Sequence, residues 1–247
     1  MIEIIDLKKQ FDDIEVLKGI STKFEAGKTN LIIGQSGSGK TVFLKCMTGL
    51  ITPTSGGILF DGKDVTKFSY EERQAIRGEI GTVFQGSALF DSMTNLENVR
   101  FPLEMFSKLS MKEMNKRAEE ILERVNISKE AMVKYPSEIS GGMQKRVAIA
   151  RALVNKPKYL FADEPNSGLD PQTAMVIDKL LHELTVEYNT TTIINTHDMN
   201  SVMEIGETIV FLKDGIKEWA GDKNEILTAD NESVINFVYS SKLFTKL

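Results

Sequence analysis

Apolar and polar positions alternate along Ile2 to Leu7 and again from Val16 to Phe24, the two-residue period of strands with one buried face. Gly57 to Phe60 has the same character, so the three segments are expected to join in an antiparallel layer. A second kind of segment carries consecutive apolar residues without alternation. Lys28 to Ile33 and the runs ending near Val83, Ala162 and Asn195 read as strands buried on both faces, which is the mark of a parallel sheet. Between Gln85 and Ser140 the period becomes helical. Met111, Met114, Ala118, Ile121, Leu122 and Val125 fall on one face, with Lys112, Glu113, Lys116, Glu119, Glu120 and Glu123 largely opposite. That stripe reads as core rather than as a lipid groove, and the chain reads as α/β with a helical insertion.

Two loops at strand ends carry the chemistry. Gly34-Gln35-Ser36-Gly37-Ser38-Gly39-Lys40-Thr41 fits G-x-x-x-x-G-K-[ST]. Its glycines let backbone N–H groups curl around phosphate oxygens, Lys40 reaches the terminal phosphates and the Thr41 hydroxyl suits Mg²⁺. The frame fits as well: Leu31-Ile32-Ile33 precedes the loop as a short strand, and Val42 to Met47 continues it as a helix whose dipole favours anions. Farther on, Lys158 to Ala162 forms an apolar strand that delivers Asp163 and Glu164 at its C-terminal end, where ligands bind in open α/β sheets. Asp163 is expected to hold Mg²⁺ and Glu164 to polarise an attacking water. Together these elements point to an ATP-driven protein.

Ser140-Gly141-Gly142-Met143-Gln144 lies just upstream of that strand. Ser140 suits a helix cap, and the glycine pair permits close backbone approach to an anion. The helix expected to follow, Met143 to Val154, is basic and apolar. With these motifs the whole chain resembles the nucleotide-binding subunit of an ABC transporter. The resemblance implies a P-loop NTPase of ABC type: a RecA-like parallel sheet core, an antiparallel β subdomain and an inserted helical subdomain. It implies a single domain over residues 1–247, with a catalytic core at 1–84 and 156–228, a helical subdomain carrying the signature at 85–155, and a C-terminal extension at 229–247.

Site roles also follow from the resemblance. Glu164, His197, Gln85 and Lys40 would be catalytic, with His197 the switch histidine at the γ-phosphate and Gln85 a metal-touching sensor of the membrane part. Thr41, Gln85 and Asp163 would hold the metal. Residues Gly34 to Val42, Ser140 to Gln144 and Asp170 would bind ATP, with Ser167-Gly168-Leu169-Asp170 signalling between sites and Pro171 opening a helix. Phe11, with Val16 nearby, would stack on adenine; otherwise a strand phenylalanine is core. The implied cofactors are ATP and Mg²⁺. The implied partners are a second copy in a head-to-tail dimer sandwiching two ATP molecules and integral membrane permease subunits. The implied activity is that of an ATP hydrolase of ABC-transporter type, peripheral on the cytoplasmic face of a bacterial inner membrane.

Phe84 to Thr94, followed by Glu97-Asn98-Val99-Arg100-Phe101-Pro102-Leu103, is similar to the ATPase subunits of Mla-type systems, as is Tyr135-Pro136-Ser137-Glu138 before the signature. That similarity implies phospholipid trafficking between bacterial inner and outer membranes and an MCE-domain lipid-binding partner. Ile139 stands where the family usually has leucine, a volume-conserving exchange. Ala88, Leu89, Phe90 and Met93 offer an apolar patch for a docking helix of the permease.

Composition narrows the alternatives. Thirty Lys and Arg against thirty-five Asp and Glu leave a net charge of −5, which argues against a broad nucleic-acid face and against strong adhesion to anionic lipid. The single cysteine, Cys46, rules out an internal disulfide and suits a small buried apolar role. No run approaches the ~18 apolar residues of a spanning helix, and Met1-Ile2-Glu3 opens into a strand, so neither a membrane span nor a secretory signal is expected. Two other classes stay open. One is an importer of amino acids or other small solutes; the other is a nucleic-acid or ribosome motor, although no heptad array separates the phosphate loop from the signature. Phe237, Val238, Tyr239, Leu243 and Phe244 make the C-terminal extension apolar enough to pack on its own subunit or on a dimer partner.

Overall fold

The computed structural model describes residues 1–240. In chain order the strands are β1 (Ile2–Phe11), β2 (Ile14–Phe24), β3 (Thr29–Ile33), β4 (Ser55–Phe60), β5 (Lys63–Asp64), β6 (Ile80–Val83), β7 (Tyr159–Asp163), β8 (Thr191–Thr196), β9 (Thr208–Lys213) and β10 (Ile216–Gly221). The helices are α1 (Lys40–Met47), α2 (Tyr70–Arg77), α3 (Asn95–Phe106), α4 (Met111–Arg124), α5 (Lys129–Met132), α6 (Gly141–Leu153), α7 (Pro171–Tyr188), α8 (Met199–Ile205) and α9 (Glu232–Ser240).

The strands form two sheets. One is antiparallel in the order β2-β1-β4-β5; the other runs β10-β9-β3-β8-β7-β6, with only β10 antiparallel to its neighbour. The pleat explains why Leu31 to Ile33 of β3 are apolar at every position. Leu31 and Ile33 of β3 face one hydrophobic cluster, shared with α3, α4, α6 and α7, while Ile32 between them faces the other, shared with β1, β2 and α1. β7 divides in the same way, Leu160 and Ala162 to the first cluster, Tyr159 and Phe161 to the second.

Register decides where the chemistry gathers. Ile33 pairs with Thr196, Asp163 with Asn195 and Val83 with Ala162, so β3, β8, β7 and β6 all end at one edge. The loops that follow them carry Lys40, His197, Glu164 and Gln85 to that edge.

Several elements differ from the sequence pattern. β1 and β2 run on through Lys8 to Gln10 and Ile14 to Glu15, mostly polar residues with an exposed Ile14, on a hairpin that leaves no alternation to read. β9 and β10 were not anticipated, although Ile209 to Leu212 is fully buried. Met111 is 52% exposed rather than core: it stands in the first turn of α4, and burial begins at Met114. The helix expected from Met143 begins at Gly141, because the Ser140 hydroxyl accepts from Met143 N and caps it there. In the C-terminal segment Val234, Phe237 and Val238 are buried, and the Phe237 ring lies 5.3 Å from that of Phe211. Tyr239, however, is exposed, and Leu243 and Phe244 lie outside the described residues. Cys46 is buried, which pushes its thiol up to about 11.

Candidate active site

The phosphate loop leaves β3 through Gly34, whose φ of 147° and near contact with the Leu212 carbonyl admit no side chain. Gly39, at φ 101°, caps α1, so the amides of the first turn of α1 point into the loop. Lys40 is buried. Its Nζ donates to the carbonyls of Gly34 at 2.8 Å and Gln35 at 3.0 Å, spanning its own loop. Burial lowers its pKa, opposed by the charges of Glu164 and Asp163. Ser38 Oγ is buried in the loop with no hydrogen-bond partner.

Beside the loop opens a crevice of about 310 Å³. Val16, Ser36, Gly37 and Gly39 line one side of it; Lys40, Thr41, Val42, Gln85 and Glu164 complete it. Thr41 Oγ1 donates to Asp163 Oδ1 at 3.2 Å, and Asn195 Nδ2 donates to the same oxygen at 3.0 Å. Among the described residues no group of three or more His, Cys, Asp or Glu could hold a metal. The donors present, the Thr41 hydroxyl, the Asp163 carboxylate and the Gln85 amide, are the hard oxygen ligands that suit Mg²⁺, an ion whose shell is otherwise water and phosphate.

Glu164 stands just past β7 with φ at 46°, in the left-handed region that costs a non-glycine residue on the order of 1 kcal/mol. Its amide donates to the Asn195 carbonyl at 3.0 Å, which holds the turn. Its carboxylate meets His197 Nδ1 at 2.9 Å through Oε1 and accepts from Gln85 Nε2 at 3.4 Å through Oε2. Gln35, Ser36, Glu164 and His197 also line an adjoining cavity, closed on its far side by Phe237 and Ser240 of α9.

The remaining predicted positions are not gathered here. Phe11 sits at the β1–β2 hairpin tip, 40% exposed, so it is not core; the Lys9 ammonium lies 4.7 Å from its ring centre, and it does not line the crevice, although Val16 does. Ser140, Gly141, Gly142, Met143 and Gln144 open α6 away from both cavities. Gly141 is exposed, whereas Gln144 turns back to the carbonyls of Pro136 and Ile139. Asp170 caps α7, accepting from the amides of Gln172 and Thr173, and its hydrogen bonds with Thr173 hold its carboxyl below the usual range.

Other residues at this edge escaped the sequence reading. Lys145 of α6 donates to the Gln85 carbonyl, and Arg151 donates to those of Ser87 and Ala88 at 2.8 and 2.6 Å. Asn195 was counted only as the end of a strand. Its place opposite Asp163 comes from the pairing of β7 with β8, which leaves no signal in the sequence.

The chain is similar to known proteins over nearly its whole length. A family profile described as ABC transporter matches residues 17–167. The ribonucleotide transport ATP-binding protein mkl of Mycobacterium leprae is 34% identical over 242 residues, spanning 98% of this chain and 70% of that protein. The methionine import ATP-binding protein MetN of Clostridioides difficile is 36% identical over 234 residues, spanning 95% of this chain and 72% of that protein. A dimeric ATP-binding cassette solved in a post-hydrolysis state with ADP and Pi superposes with a TM-score of 0.83 at 35% identity, covering 90% of this chain and 99% of that one. The cbiO1 protein from Clostridium perfringens, part of the transporter complex cbiONQ, gives a TM-score of 0.84 at 33% identity, covering 98% and 95%. On this evidence the chain belongs to the ABC transporter family and is one of its ATP-binding, ATP-hydrolysing subunits, a class that works on ATP with Mg²⁺.

Proposed function

We propose that this subunit hydrolyses ATP at the Glu164 crevice as one half of a head-to-tail pair and drives permease subunits that move phospholipid between the two membranes of a bacterial envelope. The observation that carries the ATPase part is the carboxylate of Glu164 held between His197 and Gln85 at the mouth of the Lys40 loop. Loop amides and Lys40 bind the phosphates; Glu164 takes the proton of the attacking water, and His197 fixes the carboxylate that takes it. Thr41, Asp163 and Gln85 would hold Mg²⁺, which would supply positive charge against that developing on the phosphates.

Two observations support pairing. The capped Ser140 turn lies away from its own crevice with Gly141 exposed, and a similar cassette was solved as a dimer. The turn would then serve the ATP of the second copy, with Asp170 and its loop at the seam. Phe11 would lie over the adenine from the hairpin tip.

Docking of a permease is supported by a groove of about 280 Å³ between the sheet edge and α3, where Phe90 meets Phe101 edge-on at 5.0 Å beside Met105 and Phe106. Leu89 packs inward instead, so the docking patch is shifted from the one read in the sequence. Among the described residues no helix is long and apolar enough to cross a membrane, so contact with the bilayer would run through the permease on its cytoplasmic side.

The phospholipid cargo and an MCE-domain partner rest on the Phe84 to Leu103 text. A second reading, import of a small solute, is favoured by the 36% identity to a methionine import subunit. Co-purifying the chain with its permease and identifying the bound molecule by mass spectrometry separates them: retained phospholipid supports the first reading, and a retained amino acid or similar solute supports the second.

A further inference from the structure

Behind the Glu164–His197 pair lies a buried polar triad that the proposed reaction does not use. Asn166, two residues after Glu164, is 8% exposed; Asp178 of α7 is 3% exposed; Ser201 of α8, four residues after His197, is 1% exposed. Asn166 Nδ2 donates to both Asp178 carboxylate oxygens at 3.3 and 3.1 Å and to Ser201 Oγ at 2.9 Å, and Ser201 Oγ donates to Asp178 Oδ2 at 2.7 Å. One carboxylate thus gathers the loop that carries Glu164 and the helix that follows His197.

We propose that Asp178 is a positioning residue for ATP hydrolysis, holding the Glu164 loop and the His197 segment in register through Asn166 and Ser201. The inference rests on Glu164 being the base. Glu164 needs such support: it sits in a left-handed backbone turn and its carboxylate touches only the side chains of His197 and Gln85 among the described contacts. Besides the bond from the Glu164 amide to the Asn195 carbonyl, the loop's backbone bonds there, Ser167 N to the Glu164 carbonyl and Leu169 N to that of Asn166, are internal to it. The Asn166 side chain is what reaches α7 and α8. A charge in such a place is costly in itself. Asp178 has two neutral partners, and Asp198 and Glu204, the charged groups facing it from the α8 side, repel it. A fully bonded network of this kind fixes geometry, and small misplacements of a catalytic group are expensive in rate.

The test is steady-state ATP hydrolysis by the full chain carrying Asp178→Asn, Asn166→Ala, Ser201→Ala or Ser201→Thr, with Glu164→Gln as reference. We expect kcat to fall about ten- to a hundredfold in the first three with KM for ATP within about twofold, and Ser201→Thr, which keeps the hydroxyl, to recover most of the loss. Folded fraction, followed by circular dichroism, should stay at the parent level. A kcat within about twofold of the parent, or a loss that follows the folded fraction, overturns the positioning role. Should Glu164→Gln itself still turn over, the assignment of the base fails instead, and the triad with it.

Discussion

His197 Nδ1 lies 2.9 Å from Glu164 Oε1, and the two residues come from the ends of adjacent parallel strands whose register pairs Asp163 with Asn195. Glu164→Gln keeps the shape and removes the basicity. Turnover should drop about 10²–10⁴-fold while ATP still binds, as phosphate-release kinetics and equilibrium titration with ATP would report. His197→Ala should lower kcat more than it changes KM, since its contact is with the carboxylate.

Lys40 is buried and already bonded to two loop carbonyls. Lys40→Ala removes a charge-assisted partner of phosphate, worth about 1.5–3 kcal/mol, so ATP affinity measured by calorimetry should weaken at least about tenfold and turnover should vanish. Full activity in that variant contradicts the phosphate-loop assignment.

Thr41 and Asn195 converge on one oxygen of Asp163. Asp163→Asn and Thr41→Val should each raise the Mg²⁺ concentration needed for half-maximal hydrolysis, and chelation by EDTA should stop the parent enzyme. An unchanged Mg²⁺ requirement in both variants would place the ion elsewhere.

Asp178 carries a pH signature of its own. Burial, aided by Asp198 and Glu204 and opposed by Ser201 and Asn166, raises its carboxyl from 3.8 to about 6. The folded state therefore binds this proton more tightly than the unfolded state, and stability should decline as pH rises from about 4 to about 6. Against Asp178→Asn, urea unfolding across that window should show a parent-specific loss of up to about 3 kcal/mol. Parallel curves would show that this carboxyl titrates normally.

Much of this arrangement is legible in the chain. Leu31 to Ile33 and Tyr159 to Ala162 are apolar at every position because both sheet faces are covered, so the parallel core could be read from burial alone. The loops after them carry short, dense motifs. What stayed hidden depends on contacts far apart in sequence. Asp178 meets Asn166 and Ser201 across 12 and 23 positions of the chain. Lys145 looked like one more basic residue of its helix, yet its ammonium ends on the Gln85 carbonyl. Met111 was misplaced because spacing gives a face but not where the neighbouring helix stops.

The account as a whole depends on the signature turn of one copy completing the crevice of another. Sedimentation of Glu164→Gln with and without ATP tests this most directly. The account predicts a monomer alone, a doubling of mass when ATP is added, and loss of that doubling when Ser140→Arg is introduced as well. A mass unchanged by ATP, or a dimer indifferent to Ser140→Arg, contradicts it.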